Sequence, residues 1–403
     1  MNFRVFFTVL FTVTGVIYAF GDNKDKSDKP TTGYEFTDEI VLPTTPVKDQ
    51  YRSGTCWSFS GISFLESEMM RMGKPAVNLS EMFVVWHCYS DKAKKDVRLH
   101  GNLNFAAGGE FHDVTNTIAK YGMVPESVYS GLNYGESKHV HGEMDRMLKD
   151  EVDAVIENPN KKLSTVWHEA VDATLNTYLG EIPKSFEYEG KTYTPQSFAK
   201  DYMGLNMDDY VEITSYTHHP FYSKFILEIP DNWSWDEAYN VPLNDLEDII
   251  DYSLNNGYTV AWAADVSEKG FETSNKGVAV MPSAPAEDMS DAEIAKWEAL
   301  PEKEKEKELY ALDKTAPEIE VTPEMRQVAF DNYQTTDDHG MQIIGTAKNS
   351  DGKIFYKVKN SWGDYNLYHG YFYASKPYVA YKTMSIMVNK NAIPQIIREK
   401  LGL

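Results

Sequence analysis

Apolar positions along this chain fall into helical, strand-like and unbroken patterns, and each predicts its own element. From residue 56 onward, Trp57, Phe59, Ile62, Phe64, Leu65 and Met69 share one helical face, with Ser53-Gly54 as the lead-in turn and Gly73 as the stop. Residues 163–179 form a second amphipathic stretch, and 258–264 is a short apolar run that reads as a core strand. Further on, two strand-like runs flank Asn349-Ser350-Asp351-Gly352, a strong turn signal, and predict a hairpin. The strand candidates here are 341–347, 353–359, 370–374 and 384–389. Residues 282–316 are rich in Glu and Lys and predict an exposed, charged helical excursion. At the end, Ile393, Ile396, Ile397 and Leu401 predict a short helix starting near Pro394.

The first residues follow a different logic. Arg4 precedes a mostly apolar run, 5–20, which is short for a membrane span. Ala19 and Gly21 are small residues suited to cleavage before Asp22, so 1–21 reads as a secretory signal. Residues 22–34 read as a flexible polar leader, leaving 35–403 as the working domain. The expected location is secreted, in a bacterial periplasm, with no stable membrane insertion once the signal is removed.

Composition narrows the partners. The 403 residues carry 39 basic and 61 acidic side chains, a net charge of −22, which argues against a nucleic-acid partner. Cysteine occurs only at 56 and 88, which excludes a disulfide scaffold. A bridge between the two would consume the best candidate nucleophile, so Cys88 is expected to be a buried free thiol. No Gly-rich phosphate loop is present, and no cofactor is expected. His139-x-His141 and His218-His219 lack further ligands at a recognisable spacing; they are expected to be surface histidines, with no metal.

The candidate chemistry lies in two segments far apart in sequence. Gln50 precedes Cys56-Trp57 by six residues, and His339 and Asn360 follow in Asp338-His339-Gly340 and Asn360-Ser361-Trp362-Gly363. A thiol attacks a carbonyl as thiolate, and either a helix N-terminus or a neighbouring imidazole can ionise it. Cys56 opens the first predicted helix. The predicted hairpin carries His339 and Asn360 at its two ends. An Asn carbonyl on one ring nitrogen would leave the other facing the sulfur. Trp362 would shield that pair from water, and Gln50 would offer an amide N–H to an oxyanion beside the backbone N–H of Cys56.

These motifs resemble the papain superfamily, whose local signature is Cys-Gly-[Ser/Ala]-Cys-[Trp/Tyr] with His and Asn about 130–150 residues downstream. Ser53 stands where such enzymes often have a disulfide-forming Cys, and 283 residues separate Cys56 from His339. Both departures are similar to the bleomycin hydrolase and aminopeptidase C branch, which carries large insertions. Leu79-Ser80-Glu81, Gly108-Gly109-Glu110-Phe111, Tyr121-Gly122-Met123-Val124-Pro125 and the stretch 191–198 extend the resemblance over nearly all of 35–403.

The resemblance implies an α+β, papain-like two-lobed fold, a helical lobe plus a β-barrel-like lobe, with a large, mainly helical insertion at 136–325. It implies a cysteine peptidase acting on peptides, an aminopeptidase in that branch. Gly108, Gly109, Asp338 and Trp362 would line the substrate. The tail 391–403 would lie in the cleft, with the Leu403 carboxylate pairing with the substrate amine; a C-terminal helix docked on the core fits the same residues. The branch also implies a homo-oligomer, a hexamer with inward-facing sites. A cysteine endopeptidase with an open cleft, or an inactive binding scaffold, are the alternatives.

Overall fold

The computed structural model describes residues 33–283 and 290–403. The segment read as a signal, and all but the last two residues of the leader, lie outside the described residues. Those last two are ordered into the fold: Tyr34 is buried against Phe355. The leader boundary at 34 is therefore too late.

Five helices, α1 (Cys56–Arg71), α2 (Glu81–Arg98), α3 (Phe111–Tyr121), α4 (Gly142–Ile156) and α5 (Trp167–Leu179), build one side of the molecule. Helix α1 is buried on every side, not along one face: every residue from Trp57 to Met69 is buried. Its polar residues are tolerated there because each finds a partner. Ser58 donates to the Glu81 carbonyl, Ser63 donates to Gln342 at 2.7 Å, and Glu66 accepts the Leu79 N–H at 2.8 Å.

The strands are β1 (Phe36–Val41), β2 (Phe186–Tyr188), β3 (Lys191–Tyr193), β4 (Tyr210–Thr214), β5 (Lys224–Ile226), β6 (Glu237–Asn240), β7 (Val260–Ala264), β8 (Phe271–Glu272), β9 (Val278–Ala279), β10 (His339–Asn349), β11 (Ile354–Lys359), β12 (Tyr371–Ser375) and β13 (Thr383–Asn389). All but the β2–β3 hairpin join one sheet, ordered β5-β6-β4-β13-β7-β10-β11-β12-β9-β8. The long strand β10 pairs with β11 on one edge. Its other edge is shared, His339–Ile343 with β7 and Gly345–Asn349 with β1. The β10–β11 hairpin turns where the sequence signals it: the Asn349 side chain accepts the N–H groups of Asp351 and Lys353.

The segment 136–325 is not a separate body. It supplies helices but also β4 to β9, and β7 sits at the sheet centre between β13 and β10. The amphipathic stretch at 163–179 becomes helical only from Trp167, and the charged excursion forms two short helices, Asp291–Glu298 and Glu302–Leu309.

Strand alternation separates two cores across β7. Ala261 and Ala263 face the core that contains Trp57, Phe83 and Phe111. Val260, Trp262 and Ala264 face the opposite core, with the helix Leu243–Asn255 and the C-terminal helix Gln395–Leu401. Among the described residues no helix is long and apolar enough to cross a membrane.

Candidate active site

Cys56 is the first residue of α1. Its carbonyl accepts the Ser60 hydroxyl at 2.6 Å, and the backbone N–H groups of Trp57 and Gly340 stabilise the sulfur's anionic form. Gly340 follows His339, so this contact brings the nucleophile to the start of β10. The close approach requires glycine: a Cβ at 340 would lie 2.7 Å from the Ser60 hydroxyl and 3.2 Å from the Trp57 Cα.

His339 Nε2 lies 2.7 Å from Asn360 Oδ1. That oxygen also accepts the Ser361 N–H, and the Asn360 amide group donates to Tyr365, so the amide orientation is fixed. Nε2 therefore carries the proton, and Nδ1 is left as the base. Trp362 stacks on the ring, centroids 4.7 Å apart, and covers it from solvent. The loop before His339 is braced from below. Asp338 accepts the Thr336 hydroxyl and the Val266 N–H, Asp265 accepts the Thr336 N–H, and buried Lys382 pairs with Asp265 and Glu268.

Gln50 is also oriented. Its side-chain carbonyl accepts the Ser361 hydroxyl at 2.6 Å, and its backbone N–H donates to the Ser361 carbonyl. The amide NH2 is thereby left for the cleft. Gln50, Cys56, Gly108, Gly109, Asp338, His339 and Trp362 all line one cavity of about 440 Å³. Asn360 stands behind the imidazole and reaches the cavity only through it.

Burial pushes the Cys56 thiol up to about 12, and the carboxylates of Asp337 and Asp231 push the same way. Burial also holds His339 down to about 4, against the pull of Asn360. Each charge alone is costly here. Transfer of the thiol proton to Nδ1 creates both charges within one cavity, and that pairing is the arrangement in which they offset one another.

Several sequence expectations need correction. No residue of 391–403 lines the cavity. Ile393, Ile397 and Leu401 are buried in the core on the other face of β7, with Leu403 packed against it, and Ser253 donates to the Ala392 carbonyl. The tail is amphipathic, and the helix Leu243–Asn255 offers it an apolar surface. Leu403 is thus placed away from Cys56.

His139 and His141 are buried, not on the surface. Their segment runs beside the loop before Cys56, Arg52 exchanging backbone hydrogen bonds with His139 and His141. Burial lowers both imidazoles, to about 4 and about 3, so they are neutral packing groups. His218 and His219 do meet a third potential ligand, Glu228, at 3.1 Å each. Glu228 follows β5, a spacing that no short motif encodes. Cys56 and Cys88 are unbridged, and Cys88 is buried beside Thr117.

The sequence reading missed three carboxyls. Glu110, Asp231 and Asp337 line the same cavity. Glu110 follows Gly109 and Asp337 precedes Asp338-His339, so both could have been suspected from their positions. Asp231 arrives from a distant loop and carries no local signal.

A first-turn cysteine, an Asn-fixed imidazole and an oriented Gln amide, set between a helical core and a mixed sheet, define a papain-like cysteine peptidase. The chain belongs to the Peptidase C1-like family, whose model matches residues 20–299 and 305–402. It is similar to Aminopeptidase C of Lactobacillus delbrueckii subsp. lactis, 23% identical over 407 residues, covering 90% of this chain and 83% of that protein. Aminopeptidase W of the same organism is 24% identical over 406 residues, covering 91% and 85%. The fold resembles the crystal structure of PepW from Lactobacillus rhamnosis HN001, with a TM-score of 0.67 at 20% identity, covering 91% of this chain and 84% of that one.

Proposed function

We propose that this protein is a cysteine aminopeptidase that removes N-terminal residues from peptides, with Cys56 as nucleophile. The observation that carries the chemistry is the fixed His339 tautomer: Asn360 holds Nε2–H, so Nδ1 is the base. Nδ1 takes the thiol proton as sulfur attacks the scissile carbonyl. The resulting oxyanion is met by the Gln50 amide and the Cys56 N–H. The imidazolium then protonates the leaving amine, and the thioester is hydrolysed by water that His339 deprotonates. The relatives named as aminopeptidases support the exopeptidase reading.

One observation favours a second reading. The C-terminal tail leaves the cleft open, as an endopeptidase requires. Hydrolysis of matched aminoacyl amides, free and N-acylated, with Cys56→Ala as control, separates the two. An aminopeptidase cleaves the free series by preference; an endopeptidase cleaves the blocked series as well.

A closed homo-oligomer, which rests on the family resemblance, and export by the 1–21 segment, which rests on Arg4 and the apolar run after it, belong to the same proposal. Light scattering of the purified protein tests the first: a monomer contradicts it. N-terminal sequencing of exported protein tests the second.

A further inference from the structure

With the tail docked elsewhere, an aminopeptidase needs another group to read the free amine. Four carboxyls, Glu110, Asp231, Asp337 and Asp338, line the cavity that contains Cys56, and among the described residues no lysine or arginine lines it. Asp338 is fully engaged in holding its own loop. The other three are not. Glu110 is 3% exposed, and its Oε1 has no hydrogen-bond partner. Its carboxyl lies against that of Asp337. Asp231 covers Gly108 so closely that a Cβ there would overlap its carboxylate; among the described residues its hydrogen-bond partner is Asn104 at 2.9 Å, and Lys92 acts on it through charge alone. Buried Lys92 spends its hydrogen bonds on the Ala106 and Gly108 carbonyls.

A buried carboxyl such as Glu110 is expensive when no cation meets it, and a half-satisfied acidic cluster is a poor structural device. This one also works against the enzyme's own nucleophile, since Asp337 and Asp231 raise the thiol's pKa. Both costs vanish when a cation occupies the pocket.

We infer that Glu110, Asp337 and Asp231 form an anionic subsite that receives the free α-ammonium of the substrate's N-terminal residue. This rests on the aminopeptidase reading and supplies its specificity. The ammonium replaces the proton that Glu110 and Asp337 share, donates to the unpartnered Glu110 oxygen, and places the first carbonyl at the sulfur. A blocked N-terminus brings no charge and leaves the acids uncompensated. Charge compensation also removes the field that opposes thiolate formation, so the correct substrate assists activation of Cys56.

The test uses the full chain and its Glu110→Gln, Asp337→Asn and Asp231→Asn variants. The readout is kcat/KM on leucyl amide substrates with free and N-acetylated amines, and on N-acetyl-arginyl-leucyl amides. Cys56 alkylation and thermal melting report that each variant is folded. The expected result is a wild-type preference for the free amine that falls at least tenfold, as a ratio, in Glu110→Gln and Asp337→Asn. A preference that survives in all three folded variants overturns the subsite while leaving the aminopeptidase reading intact. No preference in the wild type sinks the aminopeptidase reading itself. Best cleavage of the acetyl-arginyl substrate, lost in Glu110→Gln, would show that the pocket reads a basic side chain and would also overturn the inference.

Discussion

The His339 ring is held between two neighbours that act on different properties: Asn360 accepts its Nε2–H at 2.7 Å, and Trp362 stacks on its face at 4.7 Å. The first contact sets the tautomer, and the second excludes water. Asn360→Ala releases the tautomer while leaving the base in place. The expected outcome is a fall in kcat of about 10²-fold or more with little change in KM, read by steady-state kinetics.

Gln50 differs in kind, because its side-chain NH2, left over from the Ser361 contact, meets only the charge that develops during attack. Gln50→Ala is expected to lower kcat by about 10²–10³-fold. Its Cys56 alkylation rate should stay near that of wild type, since the nucleophile is untouched. A parallel loss of alkylation would assign Gln50 a structural role instead.

The pH dependence of thiol reactivity has a definite sign. The Asp337 carboxylate raises the Cys56 pKa, so removing its charge must lower it. In Asp337→Asn the iodoacetamide profile is expected to move to lower pH. An unmoved or upward-shifted profile contradicts the arrangement of charges described here.

Arg326 carries a stability prediction. It is 1% exposed and donates to the backbone carbonyls of Ser215, Ala380, Tyr381 and Thr383, joining the segment after β4 to the lead-in of β13. Arg326→Met keeps much of the volume but orphans these acceptors. A loss of about 3 kcal/mol is expected in chemical denaturation.

The tail makes the opposite prediction for function and fold. Residues added after Leu403 should leave substrate preference unchanged, because Leu403 lies away from the cleft. Truncation after Ile393 should destabilise the protein, because it removes the buried Ile397 and Leu401.

The legible parts of this molecule were those with local codes. The helix at Cys56, the Asn349–Gly352 turn and the flanking strands follow from periodicity and turn chemistry, and they bring Cys56, His339 and Gln50 to one cavity. What escaped the sequence was tertiary. Nothing local says that α1 is buried all round, that β7 from the long middle segment becomes a central strand, or that Asp231 reaches across to Gly108. The docking of the tail was left open for the same reason. Its amphipathic pattern predicts a helix, but not which surface will cover it.

The most direct test follows a peptide with a free N-terminus, and its N-acetylated twin, by mass spectrometry during digestion. The account predicts a ladder of single-residue losses from the free end only, absent with Cys56→Ala. Internal cleavage of both peptides, or a ladder that persists without Cys56, would contradict it.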